Sequence, residues 1–287
     1  DSALSCSLIR RPIQRWGWLF LLPTFAAFCV GFLYPFAKGL FLSFCKFKTT
    51  SKWTRVGLKN YQTIFQDEGF LHAFWYTAAF TVVRLILINV LAFAVALLLT
   101  KGFKGTNIFR TVFFMPNLIG GIVLGYIWQL LLNGILMKFS RTLTYSSTYG
   151  FWGLIILMCW QQIGYMMIIY TTGLNNIPKD LSEAAAIDGA GTWQRFKSIT
   201  VPMLMPSFTI VFFLTLSKCF MLLDQNVALT DGNFSTRMLA MQILYTTRDG
   251  SPPDYGLAQA QAVIFFVLIA AVTLVQVSIT SKKEVEL

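Results

Sequence analysis

Glu183-Ala184-Ala185-Ala186-Ile187-Asp188-Gly189-Ala190, with Ile199 and Pro202 downstream, is the stretch that decides how this chain is read. It sits in a polar, glycine-marked island between two long apolar runs, at about residues 150–173 and 207–229. Pro178 ends whatever precedes it, because proline lacks a backbone donor. Asp180 followed three residues later by Glu183 has the form of a capping box, with Asp in place of Ser or Thr. Leu181, Ala184 and Ala185 then share one helical face, and the alanines keep that face thin enough for another surface to come close. Gly189 and Gly191 mark the end of the helix, since glycine readily takes the left-handed conformation found there. Thr192 is placed to cap a second short helix carrying Trp193, Phe196 and Ile199 on one side, and Pro202 and Pro206 lead into the next apolar run.

Outward from this island the chain is apolar. Of its 287 residues 56% are hydrophobic and 12% charged, with 27 Phe, and mean hydropathy is +0.63. Soluble domains carry roughly 25% charged residues. A bilayer core requires about 20 apolar residues in helical form, and six segments qualify: 16–44, 72–100, 108–133, 150–173, 207–229 and 256–280. Backbone groups find no water in hydrocarbon, so these segments are expected to be helices; the period-2 alternation of a membrane barrel is not seen. The expected architecture is all-α and polytopic, a single transmembrane domain over 1–287 with a connecting loop at about 177–206. Pro23 and Pro35 in the first span and Pro116 in the third predict bent helices there. Although Arg10, Arg11 and Arg15 precede it, the first run is far longer than the ~7–15-residue core of a signal peptide, which points to an uncleaved anchor.

Several chemistries are disfavoured. The net charge of +11 comes from basic residues that mostly flank apolar segments, which suits lipid headgroups rather than nucleic acid. Five cysteines are widely spaced and His72 is the single histidine, so neither a disulfide framework nor a metal site is expected. There is no G-x-x-x-x-G-K-[ST] phosphate loop, so the chain is not expected to hydrolyse ATP or to be an enzyme. An even number of spans puts both termini on one side. Lys and Arg in the loops divide eleven to nine in favour of the N-terminal side, too narrow a margin to set orientation.

The order Glu183-Ala184-Ala185, Gly189, Ile199, Val201, Pro202 resembles the coupling-loop signature of ABC importer permeases, with Val201 where Leu is more usual. Other segments resemble the family in the same order: Leu22-Pro23 and Tyr34-Pro35, Gly57-Leu58-Lys59-Asn60-Tyr61, Arg110-Thr111 with Pro116 and Trp128, and Trp160-Gln161 with Gly164-Tyr165. Together they are similar to the type I permeases of carbohydrate importers of the maltose and glycerol-phosphate kind. The chain departs from them at Thr230-Asp231-Gly232-Asn233, where the family often has Thr-x-Gly-Gly-Pro, and it lacks a large external insertion.

The resemblance implies a bacterial inner-membrane subunit with both termini cytoplasmic. It implies a related second permease subunit, two ATPase subunits that bind ATP and Mg, and an extracytoplasmic solute-binding protein. This chain itself is expected to hold no cofactor and no metal. The resemblance also implies that the loop converts ATP hydrolysis into helix movement, with Glu183, Ala184, Ala185, Asp188, Gly189, Trp193 and Phe196 at the ATPase interface. The local alternative is an amphipathic connector lying on the membrane.

Sugars offer hydroxyls for hydrogen bonds and apolar faces for stacking. Gln161 and Tyr165 in the fourth span, with Asp224, Gln225 and Asn226 in the fifth, are candidates for the solute path; Trp128, Trp160 and Tyr126 are possible stacking surfaces or packing residues. Arg84, Asn89 and Lys218 lie within spans, where ionisable and polar groups are costly and mark either function or interhelical bonding. The resemblance leaves a carbohydrate, a glycerophosphodiester or another polar metabolite as solute. An ion-coupled carrier working alone would use Arg84, Lys218 and Asp224 for coupling, but leaves the island at 183–202 without a purpose.

Overall fold

The computed structural model of the chain describes residues 19, 21–49, 51–102, 104–248 and 253–282. Arg10, Arg11, Arg15 and the expected first residues of span one lie outside these. The chain divides into two compact units, Asp1–Thr63 with Thr246–Val263 and Ile64–Tyr245 with Ile264–Leu287.

The first unit opens with α1 (Leu21–Leu42). Within it Cys29–Leu33 widens into a π turn, with the Tyr34 N–H bonded to the Cys29 carbonyl. Pro35 follows directly and has no N–H to offer, and the wider turn makes room for its ring. The helix stops two residues short of the expected 44. The chain then forms an antiparallel hairpin, β1 (Cys45–Thr49) and β2 (Lys52–Arg55), where the sequence led us to expect only a loop. Next comes α2 (Lys59–Gln66), fastened to the hairpin by buried Asn60, whose amide donates to the carbonyls of Ser43 at 2.8 Å and Cys45 at 3.0 Å. The Ser43 and Tyr61 hydroxyls meet at 2.7 Å. The Gly57–Tyr61 segment is thus a clasp between helix and hairpin.

The second unit is built on α3 (Glu68–Leu99) and α6 (Ser147–Asn175). Asp67 caps α3 by accepting from the Gly69 N–H at 2.9 Å, satisfying one of the donors that a helix start leaves free. Phe80, Ile88, Ala92 and Ala96 of α3 and Leu154, Leu157, Met158, Met166 and Tyr170 of α6 are buried at helical spacing in one core. Between these two helices lie α4 (Thr106–Phe114) and α5 (Gly121–Leu136). After α6 come α7 (Lys179–Ile187), α8 (Thr192–Met203), α9 (Met205–Phe220), α10 (Asp224–Thr230), α11 (Leu239–Arg248) and α12 (Tyr255–Ser281). In α6 61% of the most apolar stretch is buried, in α12 none. Apolar faces turned outward on this scale suit a lipid surrounding and not water.

Two spans differ from expectation. The third, expected as one bent helix over 108–133, is broken: α4 ends at Phe114, Met115–Leu118 form a 3₁₀ turn containing Pro116, and α5 begins at Gly121. Pro116 cannot continue the ladder, the chain runs extended through Ile119 and Gly120, and α5 restarts at Gly121, where a Cβ would press on the Gln225 side chain. The fifth, expected over 207–229, ends at Phe220, and Asp224–Thr230 is the separate helix α10 packed on α5. The break places polar Asp224 in a first helical turn, where the helix dipole favours an acid, instead of leaving it inside an apolar span. Among the described residues five helices are long and apolar enough to cross a membrane, and six when α8 and α9, bent by 61°, count as one.

Candidate functional site

Two regions contain the residues singled out by sequence: the α7–α8 loop, and a polar cluster where α6, α9 and α10 meet.

In the loop Pro178 is itself the N-cap of α7, with extended backbone. Asp180 therefore falls inside the first turn and does not cap, so the capping box expected from Asp180 and Glu183 is absent. Asp180 instead faces the positive end of the helix dipole. At the other end the Ala190 N–H bonds to the Ala185 carbonyl at 2.9 Å and the Gly189 N–H to the Ala186 carbonyl at 3.1 Å. Gly189 has φ +82°. These two bonds around a left-handed residue form a Schellman motif, and glycine adopts that conformation without the clash a Cβ would bring. The cap of α8 is Gly191, not Thr192. The two helices are tied by the Arg195 guanidinium, which donates to the Ser182 hydroxyl at 3.5 Å. They enclose a cleft of about 300 Å³ lined by Ala185, Asp188, Gly189, Gln194 and Arg195 among others.

Glu183, Ala184, Asp188 and Gly189 are exposed, and Ala185 and Phe196 half-buried. Ile187 is 88% and Trp193 73% exposed, so the loop presents large apolar side chains beside charged ones. Trp193 stacks on Phe196 at 5.5 Å between ring centres. Phe196 meets Phe93 of α3 at 6.1 Å, and Phe93 meets both Tyr170 of α6 and Phe208 of α9 at 5.3 Å. The Tyr170 hydroxyl donates to Asn89 Oδ1 at 2.5 Å. An aromatic column therefore runs from an exposed loop residue to fully buried Tyr170. Sequence reading missed it because its members come from four helices with no common spacing. Below the loop Phe196–Thr200 forms a second π turn, placed ahead of Pro202 as the first is placed ahead of Pro35.

In the polar cluster Gln161 Oε1 accepts from the Gln225 amide at 3.1 Å, and the Gln161 amide donates to the Ile119 carbonyl at 3.3 Å. Tyr165, one turn along α6, holds its ring 5.1 Å from Lys218 Nζ. Gly164 allows this arrangement: a Cβ there would overlap the Phe113 backbone, so the end of α4 rests directly on α6. Asp224 is exposed and Gln225 half-buried. Asn226 is fully buried. Its amide donates to the Thr236 carbonyl at 2.9 Å and the Thr230 hydroxyl at 3.2 Å, and its oxygen accepts from the Met238 N–H at 3.1 Å. These side-chain bonds hold together the Thr230–Met238 loop, in which Asp231 has φ 50°. Trp128 and Trp160 meet edge to face at 5.4 Å, and Tyr126 is exposed.

Residues 88–284 match the family described as binding-protein-dependent transport system inner membrane component. The chain is 38% identical over 283 residues to the probable starch degradation products transport system permease protein AmyD of Thermoanaerobacterium thermosulfurigenes, covering 95% of this chain and 96% of that protein. It is 31% identical over 288 residues to the multiple sugar-binding transport system permease protein MsmF of Streptococcus mutans, covering 96% and 99%. Its fold is similar to that of a bacterial ABC transporter involved in the import of the acidic polysaccharide alginate, with TM-score 0.79, 21% identity, and coverage of 96% and 98%.

Proposed function

Because the chain belongs to the family of binding-protein-dependent transport system inner membrane components, we propose that it forms half of the pore of an ATP-driven importer of oligosaccharides, of the kind released from starch. The observation that carries this reading is the α7–α8 loop: two short helices held by a glycine turn, with Ile187 and Trp193 exposed and an aromatic column leading to the core. An exposed apolar pair of this kind beside Glu183 and Asp188 calls for a protein cover. In this reading the cover is a cytoplasmic ATPase subunit that holds ATP and Mg, and the seven loop residues named from sequence form the contact. A second, related permease subunit completes the pore, a second ATPase subunit serves it, and an extracytoplasmic binding protein delivers the sugar. Both termini then lie in the cytoplasm.

The solute path runs past Gln161, Tyr165, Gln225 and Asp224, where amides and a carboxylate meet sugar hydroxyls and the Tyr165 ring meets a sugar face. Asn226 belongs to the wall of this path through the loop it holds together. ATPase closure moves the loop, and the path opens to each side in turn. The test is cross-linking from Trp193→Cys in the assembled complex. The expected product joins this chain to an ATPase subunit and changes in yield with nucleotide; a cysteine that links to lipid-facing probes alone, whatever the nucleotide, refutes the reading.

A further inference from the structure

Apart from Glu68 at the start of α3, helices α3, α6 and α9 hold two cations, Arg84 and Lys218, and no carboxylate. Arg84 is fully buried and is held by neutral groups. One guanidinium nitrogen donates to Gln162 Oε1 of α6 at 2.5 Å and another to Cys219 Sγ of α9 at 3.3 Å. The Phe80 ring lies 5.9 Å away, and Nε is buried without a hydrogen-bond partner. Buried arginines are ordinarily paired, because an uncompensated charge in a low-dielectric interior is costly. A neutral side chain could bridge the same three helices without that cost, so the packing accounts for the shape of Arg84 and leaves its charge unexplained.

The second cation stands beside the first. Lys218 precedes Cys219 in the chain, is half-buried, and rests its ammonium on the Tyr165 ring. Neither cation has a carboxylate within ion-pair distance among the described residues. Gln162 and Tyr165 are three apart on α6 and so share a face, and Gln161 adjoins them. An unneutralised charge in such surroundings is weakly screened, so its potential reaches the Gln161–Gln225–Tyr165 cluster. Asp224, beside Gln225, is exposed and better screened, so its single negative charge offsets the two buried or half-buried cations only in part.

We propose that Arg84 and Lys218 form an electrostatic filter that excludes cations, protons included, from the solute path while uncharged sugars pass. The proposal rests on reading that cluster as the solute path. A path wide enough for a sugar also admits water and small ions, and fixed positive charge beside a pore raises the barrier to cations specifically.

The experiment uses the full complex in liposomes containing a trapped pH dye, supplied with ATP, binding protein and labelled starch-derived oligosaccharides, reading sugar uptake and proton entry together. Lys218→Gln and Arg84→Met are expected to raise proton entry per sugar by about tenfold, while Lys218→Arg and Arg84→Lys keep it near the unsubstituted level. Unchanged proton entry per sugar in Lys218→Gln vesicles that still take up sugar overturns the filter. The Lys218 ammonium contacts a ring and does not hold helices together by hydrogen bonds, so this variant decides the matter even where Arg84→Met fails to assemble. An unsubstituted complex that takes up no sugar with ATP refutes the importer reading instead, and the two failures are distinct.

Discussion

Phe93→Ala cuts the aromatic column at its branch point. Phe93 touches Phe196 on the loop side and Tyr170 and Phe208 on the core side, so its loss breaks the ring contacts that link Phe196 to both. Ring pairs of this geometry contribute about 0.5–1.5 kcal/mol each beyond area burial. Full truncation of a buried Phe costs about 3–5 kcal/mol, and half-burial of Phe93 puts the stability cost nearer the lower value. The coupling between Phe93 and Phe196, taken alone, should therefore be about 0.5–1.5 kcal/mol, or roughly 2- to 12-fold in an equilibrium. The assay is a double-mutant cycle of Phe93→Ala and Phe196→Ala in the reconstituted complex, reading stimulation of ATP hydrolysis by sugar-loaded binding protein. Each single variant should lose stimulation while keeping basal hydrolysis, and the double variant should be little worse than Phe93→Ala. Losses that multiply independently, giving a coupling energy near zero, would mean that the rings only fill space and that the loop acts through the backbone alone.

Four further variants have outcomes set by the geometry. Gly189→Val forces a β-branched residue to φ +82° at a cost of about 1–2 kcal/mol, and should uncouple ATP hydrolysis from uptake while membrane insertion, measured by protease protection, stays normal. Gly164→Ala places a methyl group against the Phe113 backbone, which has no flexible end to move aside, and should lower the melting temperature of the purified complex by several degrees. Asn226→Ala removes three bonds from a buried site and should destabilise by about 2–3 kcal/mol, whereas Gln225→Ala should leave the melting temperature near the original and alter the concentration dependence of sugar uptake.

What the sequence revealed was local. The apolar runs, read here as helices, and the glycine turn at Gly189 depend on residues close together in the chain; the described runs are helical, two of them broken, and Gly189 takes the left-handed turn. The capping box is absent because the helix begins at Lys179 with Pro178 as its N-cap, which puts Asp180 inside the first turn. The ends of spans three and five were misplaced because hydropathy cannot separate one long helix from two short ones, whereas Pro116 and the Asp224–Asn226 cluster do so physically. The hairpin at 45–55 was hidden between apolar span and polar loop, although Lys46 and Lys48 alternate with Phe47 as a strand pattern would. Joining Phe93, Tyr170, Phe196 and Phe208, or Arg84, Gln162 and Cys219, requires knowing which helices touch, and no periodicity within one helix carries that.

The central claim is that this chain works as one part of an ATP-driven pore and not by itself. Purification through a tag on this chain in mild detergent, with mass spectrometry of everything that accompanies it, tests the claim most directly. The account predicts recovery of an ATPase with a phosphate-binding loop and of a second polytopic permease of the same family. A chain that purifies alone, and that moves sugar across liposomes without ATP, would contradict it.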